Sequence, residues 1–320
     1  MNKKGLYATI LVLCLTLFVL IVRAKSKGIL AALLWKPKTE NCMFMDFGCK
    51  SKSKKIVFGA YDPDNWLKDS TKISVDHYYF SWLTFDPLDF QSKVRISSQN
   101  KRTLFLSIEP WAENSTKTKT LLEDIIVSKY DDKIEKICSE FGKAPGAVQV
   151  SFAHEMDHDL TERYPWSGKE SAVFIEAYKH FVLKCRTVAQ NVKYIWSPVG
   201  DKKALSYWPG EEFVDAVGFP VYSFPEFDLL YHDYALNFAK STKEKYDRLN
   251  VLNKPLIIVE LGVAGDPGRK LEWFKGMEKD LSQFKNIKSV LFFNAKDHDG
   301  VWGNNLPTPD WRIDDSMISL

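Results

Sequence analysis

The 320-residue chain lacks several motifs that mark common classes of protein. It has five cysteines but no CxxC pair, which argues against a structural zinc site. No Gly-rich phosphate loop follows any of its apolar runs, which disfavours an open, doubly wound nucleotide-binding sheet. We therefore expect neither a metal nor a cofactor.

Excess positive charge is missing from most of the chain. Residues 1–55 carry 11 Lys and Arg against 2 Asp and Glu, which leaves 33 basic and 39 acidic residues in the remaining 265. Nucleic-acid-binding domains are usually basic, so we expect no nucleic-acid partner. A hydrophobic content of 45% and a charged content of 27% are typical of an ordinary folded domain.

An uncharged, mostly apolar run extends from Leu6 to Val22. A helix of about 17 residues, rising about 1.5 Å per residue, just crosses a hydrocarbon core of roughly 30 Å. No small-residue cleavage site follows the run. We therefore expect residues 1–27 to be a single-pass signal anchor in the cytoplasmic membrane, with the main domain on its periplasmic or extracellular side. A cleaved signal peptide and a secreted form are the alternative.

Residues 28–55 are predicted to form a basic stalk, which ends in a lysine cluster. The simplest interpretation is a solvated tether, and the alternative is contact with anionic lipid or an acidic polysaccharide. Cys42 and Cys49 lie close together in the stalk and would close a small disulfide loop in an exported protein. Cys138 and Cys185 fall on predicted helices and are expected to be buried thiols.

From residue 56 onward, short apolar runs alternate with helix-like segments. The runs predict eight strands: Ile56–Asp62, Val75–Phe85, Thr103–Trp111, Ala147–Met156, Val192–Val199, Val214–Tyr222, Pro255–Gly262 and Ile287–Lys296. The clearest helical segments are 119–141, 169–190, 228–249 and 268–284. Eight strands alternating with helices predict an α/β fold, a (β/α)8 TIM barrel over residues 56–320, although the first and fifth crossovers look short.

Polar and aromatic residues cluster where these strands end, which is the face on which a barrel carries its chemistry. The residues at these ends are Asp62, Glu109, Trp111, His154, Glu155, Trp196, Tyr222, Glu260 and Asn294. We therefore treat Glu109, Trp111, Trp196 and Asn294 as candidate substrate-binding residues, with loop packing as the alternative for Trp111.

Two of these residues are glutamates that follow apolar runs. Glu155 ends the predicted fourth strand and Glu260 ends the predicted seventh. Hydrolysis of a glycosidic bond with retention needs two carboxyl groups about 5–5.5 Å apart, one as general acid and base and one as nucleophile. Buried structural ion pairs are the alternative explanation of these two residues.

Several segments, in order, resemble glycoside hydrolase family 26, the mannanase and lichenase family of (β/α)8 glycosidases. The matching segments are Phe152-Ala-His-Glu-Met-Asp157, Tyr164-Pro-Trp-Ser-Gly168, Trp196-Ser-Pro198, Tyr207–Gly218, Lys254–Gly262, Phe292–Asp297 and Asp310–Ile313. The resemblance implies that Glu155 is the acid/base and Glu260 the nucleophile. It further implies that Tyr222 hydrogen-bonds the nucleophile and that His154 and Trp166 line the sugar site.

The chain departs from typical mannanases at two strand ends. Pro220 stands where mannanases carry Asp, and Glu109 and Trp111 end the third strand where mannanases tend to present His. The expected activity is therefore endo-hydrolysis of a β-linked polysaccharide, a β-glucan or an exopolysaccharide rather than mannan.

Two other functions compete with a glycanase. His154–His158 also spells HExxH, a zinc-protease motif that requires both histidines on one face of a helix. A polysaccharide-binding protein without strong catalysis, in a membrane complex that synthesises or exports polysaccharide, is the other candidate. Trp208 and Trp302 could stack on sugar or pack in loops, and the polar loop Asp297–Asp299 is expected to be solvated.

Overall fold

The structure, a computed structural model, describes residues 56–114, 119–158 and 163–318. The predicted anchor, the stalk and the Cys42–Cys49 pair lie outside these ranges. Within the described ranges, no helix has the length and apolar character needed to cross a membrane.

Eight parallel strands close into a barrel in chain order, as predicted. They are β1 (Val57–Tyr61), β2 (Ile73–Ser81), β3 (Thr103–Glu109), β4 (Val148–Phe152), β5 (Val192–Trp196), β6 (Ala216–Ser223), β7 (Leu256–Val263) and β8 (Ile287–Phe293). The barrel closes through pairing of β1 with β8, from Val57 opposite Ser289 to Tyr61 opposite Phe293. The open doubly wound alternative is therefore wrong.

Helices cover the outside of the barrel. They are α1 (Pro87–Gln99), α2 (Leu121–Ile126), α3 (Asp131–Gly142), α4 (Ser171–Val188), α5 (Pro225–His232), α6 (Phe238–Asn250) and α7 (Pro267–Leu281). Two predicted helices, 119–141 and 228–249, are each two helices. Positive φ angles of 67° at Ser128 and 60° at Asp233 interrupt them, because a left-handed residue cannot continue a right-handed helix. The first crossover has no helix and the fifth has only 3₁₀ turns, at Ala204–Tyr207 and Glu211–Phe213.

Apolar residues fill both sides of the sheet. A small cluster that includes Val75, Phe105 and Leu291 fills the barrel interior, and a much larger one packs the outer sheet face against the helices. A third cluster, centred on Phe224, Ala264 and Trp311, lies above the strand ends. The interior is therefore a packed floor that leaves the functional groups at the carboxyl ends of the strands.

A disulfide joins Cys138 of α3 to Cys185 of α4. The prediction of two separate thiols is therefore wrong. Both residues are fully buried, and their Cα atoms lie 5.2 Å apart, a normal separation for a disulfide. The bond ties together the two helices that flank β4 in sequence, the strand that leads to Glu155.

Candidate active site

A β-bulge in β7 turns Glu260 towards the barrel axis. Ile257 and Val259 both face the interior cluster, so strict alternation would point Glu260 outward to the helices. The pairing with β6 instead shifts by one residue, and Pro220 lies opposite Glu260. Val259 is the extra residue. Bulges commonly re-aim a side chain beside an active site.

Two tyrosines donate to different oxygens of the Glu260 carboxylate. The Tyr79 hydroxyl of β2 lies 2.7 Å from Oε1, and the Tyr222 hydroxyl of β6 lies 2.7 Å from Oε2. Burial, and then the neighbouring Glu260 charge, raises the pKa of both tyrosines well above its usual range. Both hydroxyls therefore stay protonated and act as donors to the Glu260 carboxyl group.

Glycine makes room for one of these donors. A Cβ atom on Gly262 would lie 2.4 Å from Cδ1 of Tyr222, far inside van der Waals contact. The Tyr222 ring also contacts Trp311, with ring centroids 4.9 Å apart, and Trp302, at 5.3 Å. These contacts fix the ring whose hydroxyl reaches the carboxylate.

Glu155 lies three residues beyond the end of β4, so the prediction that the strand continues to Met156 is wrong. The backbone leaves the strand at Ala153, with φ 51°, and Glu155 has φ 54°. Non-glycine residues seldom adopt this left-handed conformation, and it concentrates at functional sites. The Glu155 amide donates to the Ser197 carbonyl at 2.8 Å, which ties the turn to the end of β5.

The environment of Glu155 favours a protonated carboxyl group. Burial raises the pKa of Glu155 above its usual value, and the Glu260 charge raises it further, against the opposing effects of Arg163, His154 and His158. Its Oε2 atom is buried and has no hydrogen-bond partner among the described residues. Glu155 is therefore suited to hold a proton, whereas Glu260 is held by two donors.

A wall of aromatic and polar side chains lies beside Glu155. Glu109 accepts from the indole of Trp111 at 2.8 Å, and its other oxygen lies 4.0 Å from Nε2 of His154. The Tyr164 ring packs on Trp166 at 4.7 Å and meets His154 edge-on at 5.1 Å. The structure therefore brings together Glu109, Trp111 and His154, as predicted, and adds Tyr164.

Three residues predicted to bind substrate have no exposed surface. Trp166, Trp196 and Asn294 are each 0% exposed. Trp166 donates to the His154 carbonyl at 2.7 Å. Asn294 donates to Asp62 at 2.8 Å and accepts from the Ile313 amide at 2.6 Å. In this conformation the three residues support the site from behind, and their direct contact with substrate stays a prediction.

The loop after β8 is solvated at His298 and Asp299, as expected, but Asp297 is half-buried and hydrogen-bonded. One oxygen of Asp297 accepts from the indole nitrogens of both Trp302 and Trp311, at 2.8 Å each. These are the two indoles that contact Tyr222. The expectation of a solvated Asp297 is therefore wrong, because its carboxylate links the tryptophans that hold a donor to Glu260.

The HExxH segment is not helical. His154 and Glu155 are irregular and the turn that follows places Asp157 under the loop after β5, where its carboxylate accepts from the amides of Val199 at 2.7 Å and Gly200 at 3.1 Å. Two histidines four apart share a face only in a helix. The segment therefore does not form the zinc-protease arrangement.

Sequence reasoning did not identify Tyr79, Asp297 or Arg163 as parts of this site. The available signal for Tyr79 was the period of two in β2, in which Val75, His77 and Tyr79 share one face. The predicted strand ran on to Phe85, which placed Tyr79 in mid-strand rather than near the functional end.

Two carboxyl groups of contrasting environment, Glu155 and Glu260, lie at the carboxyl face of the barrel. The sequence model of glycosyl hydrolase family 26 matches residues 123–271. The chain is 27% identical to endoglucanase H of Acetivibrio thermocellus over 267 residues, 78% of this chain and 27% of that protein. It is 22% identical to the β-1,3-xylanase TXYA of a Vibrio species over 229 residues, 62% of this chain and 46% of that protein.

Solved structures share the fold. A family 26 β-mannanase from Bacteroides ovatus superposes with a TM-score of 0.61 at 14% identity, over 82% of this chain and 86% of that one. The protein GH26C from a Muricauda species gives 0.59 at 16% identity, over 74% and 78%. Together with the sequence matches, these findings confirm the resemblance to glycoside hydrolase family 26. The solved structures show a shared fold, and the sequence matches show a similarity to glycosyl hydrolase family 26. The chain spans about a quarter to a half of the length of the relatives it matches.

Proposed function

We propose that the chain is a retaining endo-β-glycanase, with Glu155 as general acid and base and Glu260 as nucleophile. The observation that carries the proposal is the contrast between the two carboxyl groups. Glu260 accepts from Tyr79 and Tyr222, whereas Glu155 is buried with a raised pKa and an unpartnered oxygen.

The chemistry follows from this contrast. In the first step Glu260 attacks the anomeric carbon, the glycosidic C–O bond breaks, and Glu155 gives its proton to the leaving oxygen. In the second step the Glu155 carboxylate takes a proton from water, which attacks the anomeric carbon and releases Glu260. Because Glu155 loses its charge neighbour while Glu260 is esterified, its pKa falls between the steps, which suits the change from acid to base.

Chemical rescue tests the assignment of the nucleophile. In Glu260→Ala the nucleophile is missing, so turnover of an aryl β-glycoside should fall by several orders of magnitude. Azide should restore it and give a glycosyl azide of inverted anomeric configuration, read by NMR. The wild-type chain should release product of retained configuration. Normal hydrolysis by Glu260→Ala would exclude this residue as the nucleophile.

A β-glucan or an exopolysaccharide is the proposed substrate, rather than mannan. Pro220 and Glu109 stand at strand ends where typical mannanases carry other residues, and the names of two matched relatives describe an endoglucanase and a β-1,3-xylanase. A panel of soluble β-glucans, β-xylans and mannans, with products separated by size, tests the choice. Preferred cleavage of mannan would overturn it. Binding of a glucan without any product would favour the non-catalytic alternative.

We also propose that residues 6–22 anchor the chain in the cytoplasmic membrane, with the barrel outside the cytoplasm. The Cys138–Cys185 disulfide supports this location, because such bonds form and persist mainly in oxidising compartments. Fractionation of cells that make the full chain, followed by protease treatment of intact spheroplasts, tests it. Recovery of the chain in the cytoplasm would exclude the proposed location.

A further inference from the structure

An exposed arginine stands over the aromatic wall of the site. The guanidinium carbon of Arg163 lies 5.3 Å from the ring centroid of Tyr164, whose ring stacks on Trp166 and meets His154, the neighbour of Glu155. Arg163 is solvent-exposed. No carboxylate among the described residues forms a hydrogen-bonded ion pair with it.

This cation works against the acid role of Glu155. Partial desolvation lowers the pKa of Arg163, but Tyr164, Glu155 and Glu260 outweigh that effect and raise it, so the guanidinium is always charged. The same charge lowers the pKa of Glu155. Glu260 already accepts from Tyr79 and Tyr222, so the Arg163 charge is not needed to hold the proposed nucleophile.

A second cation near the carboxyl pair is engaged elsewhere. Lys245 of α6 donates to the carbonyl of Pro220 at 3.0 Å, and burial lowers its pKa. Its amine therefore supports the end of β6 from the helix side. Arg163, by contrast, presents a planar fork of donors at the surface, the geometry that matches a carboxylate or a sulfate in two parallel hydrogen bonds.

We propose that Arg163 binds an anionic group carried by the polysaccharide, on a sugar next to the bond that is cleaved, and that the substrate is therefore an acidic β-glycan. The carboxylate of a uronic acid is the first expectation, and a sulfate ester has the same chemistry. This inference rests on the proposed function, because it names the substrate of the same cleft.

The test uses the purified full chain and matched oligosaccharides of β-1,4- and β-1,3-glucan. Each is prepared unmodified, oxidised at C6 to the uronic acid, and sulfated at C6. The measured quantity is the ratio of kcat/KM on the anionic form to kcat/KM on the neutral form. The wild-type ratio should exceed one, and Arg163→Gln should lower it by about 10- to 100-fold, the effect of one hydrogen-bonded charge pair.

Further variants separate the effect of the guanidinium geometry of Arg163 from the effect of its positive charge. Arg163→Lys keeps the charge but loses the fork, so it should retain part of the preference. The control is Arg95→Gln, on the exposed face of α1, which should leave the ratio unchanged. The carboxylate and sulfate arms show which anion is bound.

Three results would overturn the inference or its basis. A wild-type ratio of one or less, or a ratio unchanged in Arg163→Gln, would overturn the inference while cleavage of the neutral glucans left the proposed function standing. If no oligosaccharide is cleaved, the proposed function fails, and calorimetric binding decides the inference separately. In that case, equal affinity of the wild-type chain for neutral and anionic forms would overturn it.

Discussion

The hydroxyl of Tyr79 lies 2.7 Å from Oε1 of Glu260. The bond joins β2 to β7 across the barrel mouth and leaves the second oxygen to Tyr222. A carboxyl group with one donor on each oxygen is fixed in orientation. Tyr79 is therefore a positioning residue for the proposed nucleophile.

Replacing Tyr79 tests this role. Tyr79→Phe removes one hydrogen bond to a charged group, and kcat should fall by about 10- to 100-fold. Tyr78→Phe, on the other face of β2, is the matched control and should keep normal kinetics. Equal effects of the two substitutions would contradict the assignment.

The pH dependence of the reaction should report Glu155. The general acid works only while protonated, so kcat/KM falls as pH rises through its pKa. Because burial and Glu260 raise that pKa, the basic limb should lie above the usual range of a glutamate. Glu155→Gln should remove this limb with an aryl glycoside whose leaving group needs no protonation. A basic limb that persists in this variant would mean that another group is the acid.

Asp297 should contribute to stability and to activity through the two indoles that it binds. Asp297→Ala leaves Trp302 and Trp311 without their acceptor, which should lower the free energy of unfolding by about 1–3 kcal/mol. It should also lower kcat, because these rings hold Tyr222. Asp297→Asn keeps an acceptor oxygen and should recover most of both losses. Asp299→Ala in the same loop is the control, and urea unfolding with steady-state kinetics gives the two readouts.

The disulfide between α3 and α4 should contribute strongly to stability. It closes a loop with a sequence separation of 47 residues, for which chain entropy predicts about 4 kcal/mol. Reduction with dithiothreitol should therefore lower the Tm of the wild-type chain. The double variant Cys138→Ala, Cys185→Ala should have a Tm as low as that of the reduced wild-type chain, and dithiothreitol should not change it. A wild-type Tm unaffected by complete reduction, verified by thiol titration, would refute this prediction.

The strands were predictable because parallel strands buried on both faces appear as continuous apolar runs. The helix breaks were not, because Ser128 and Asp233 carry no glycine or proline signal. At Ser128 the break is closed by local backbone bonds, from the amides of Ser128 and Lys129 to the carbonyls of Ile125 and Asp124. The disulfide was missed for a different reason. Which helices lie side by side is set by the closed barrel, and the spacing of Cys138 and Cys185 alone does not give that contact.

The candidate site also has features that the sequence predicts and features that it does not. The positions of Glu155 and Glu260 near strand ends could be predicted from the apolar runs before them. The orientation of Glu260 depends on the bulge at Val259, and no residue type in β7 indicates a bulge. The burial of Trp196 and Asn294 could not be predicted, because a polar or aromatic residue at a strand end can either contact a substrate or support the site from behind.

The extra residue at Val259 means that two consecutive residues of β7, Val259 and Glu260, face the barrel axis. Deleting Val259 would place Glu260 directly after Ile258, which packs on the helix side of the sheet. Glu260 would therefore still face the axis opposite Pro220. Such a deletion would remove an apolar side chain from the barrel floor, and the orientation of the proposed nucleophile would survive it.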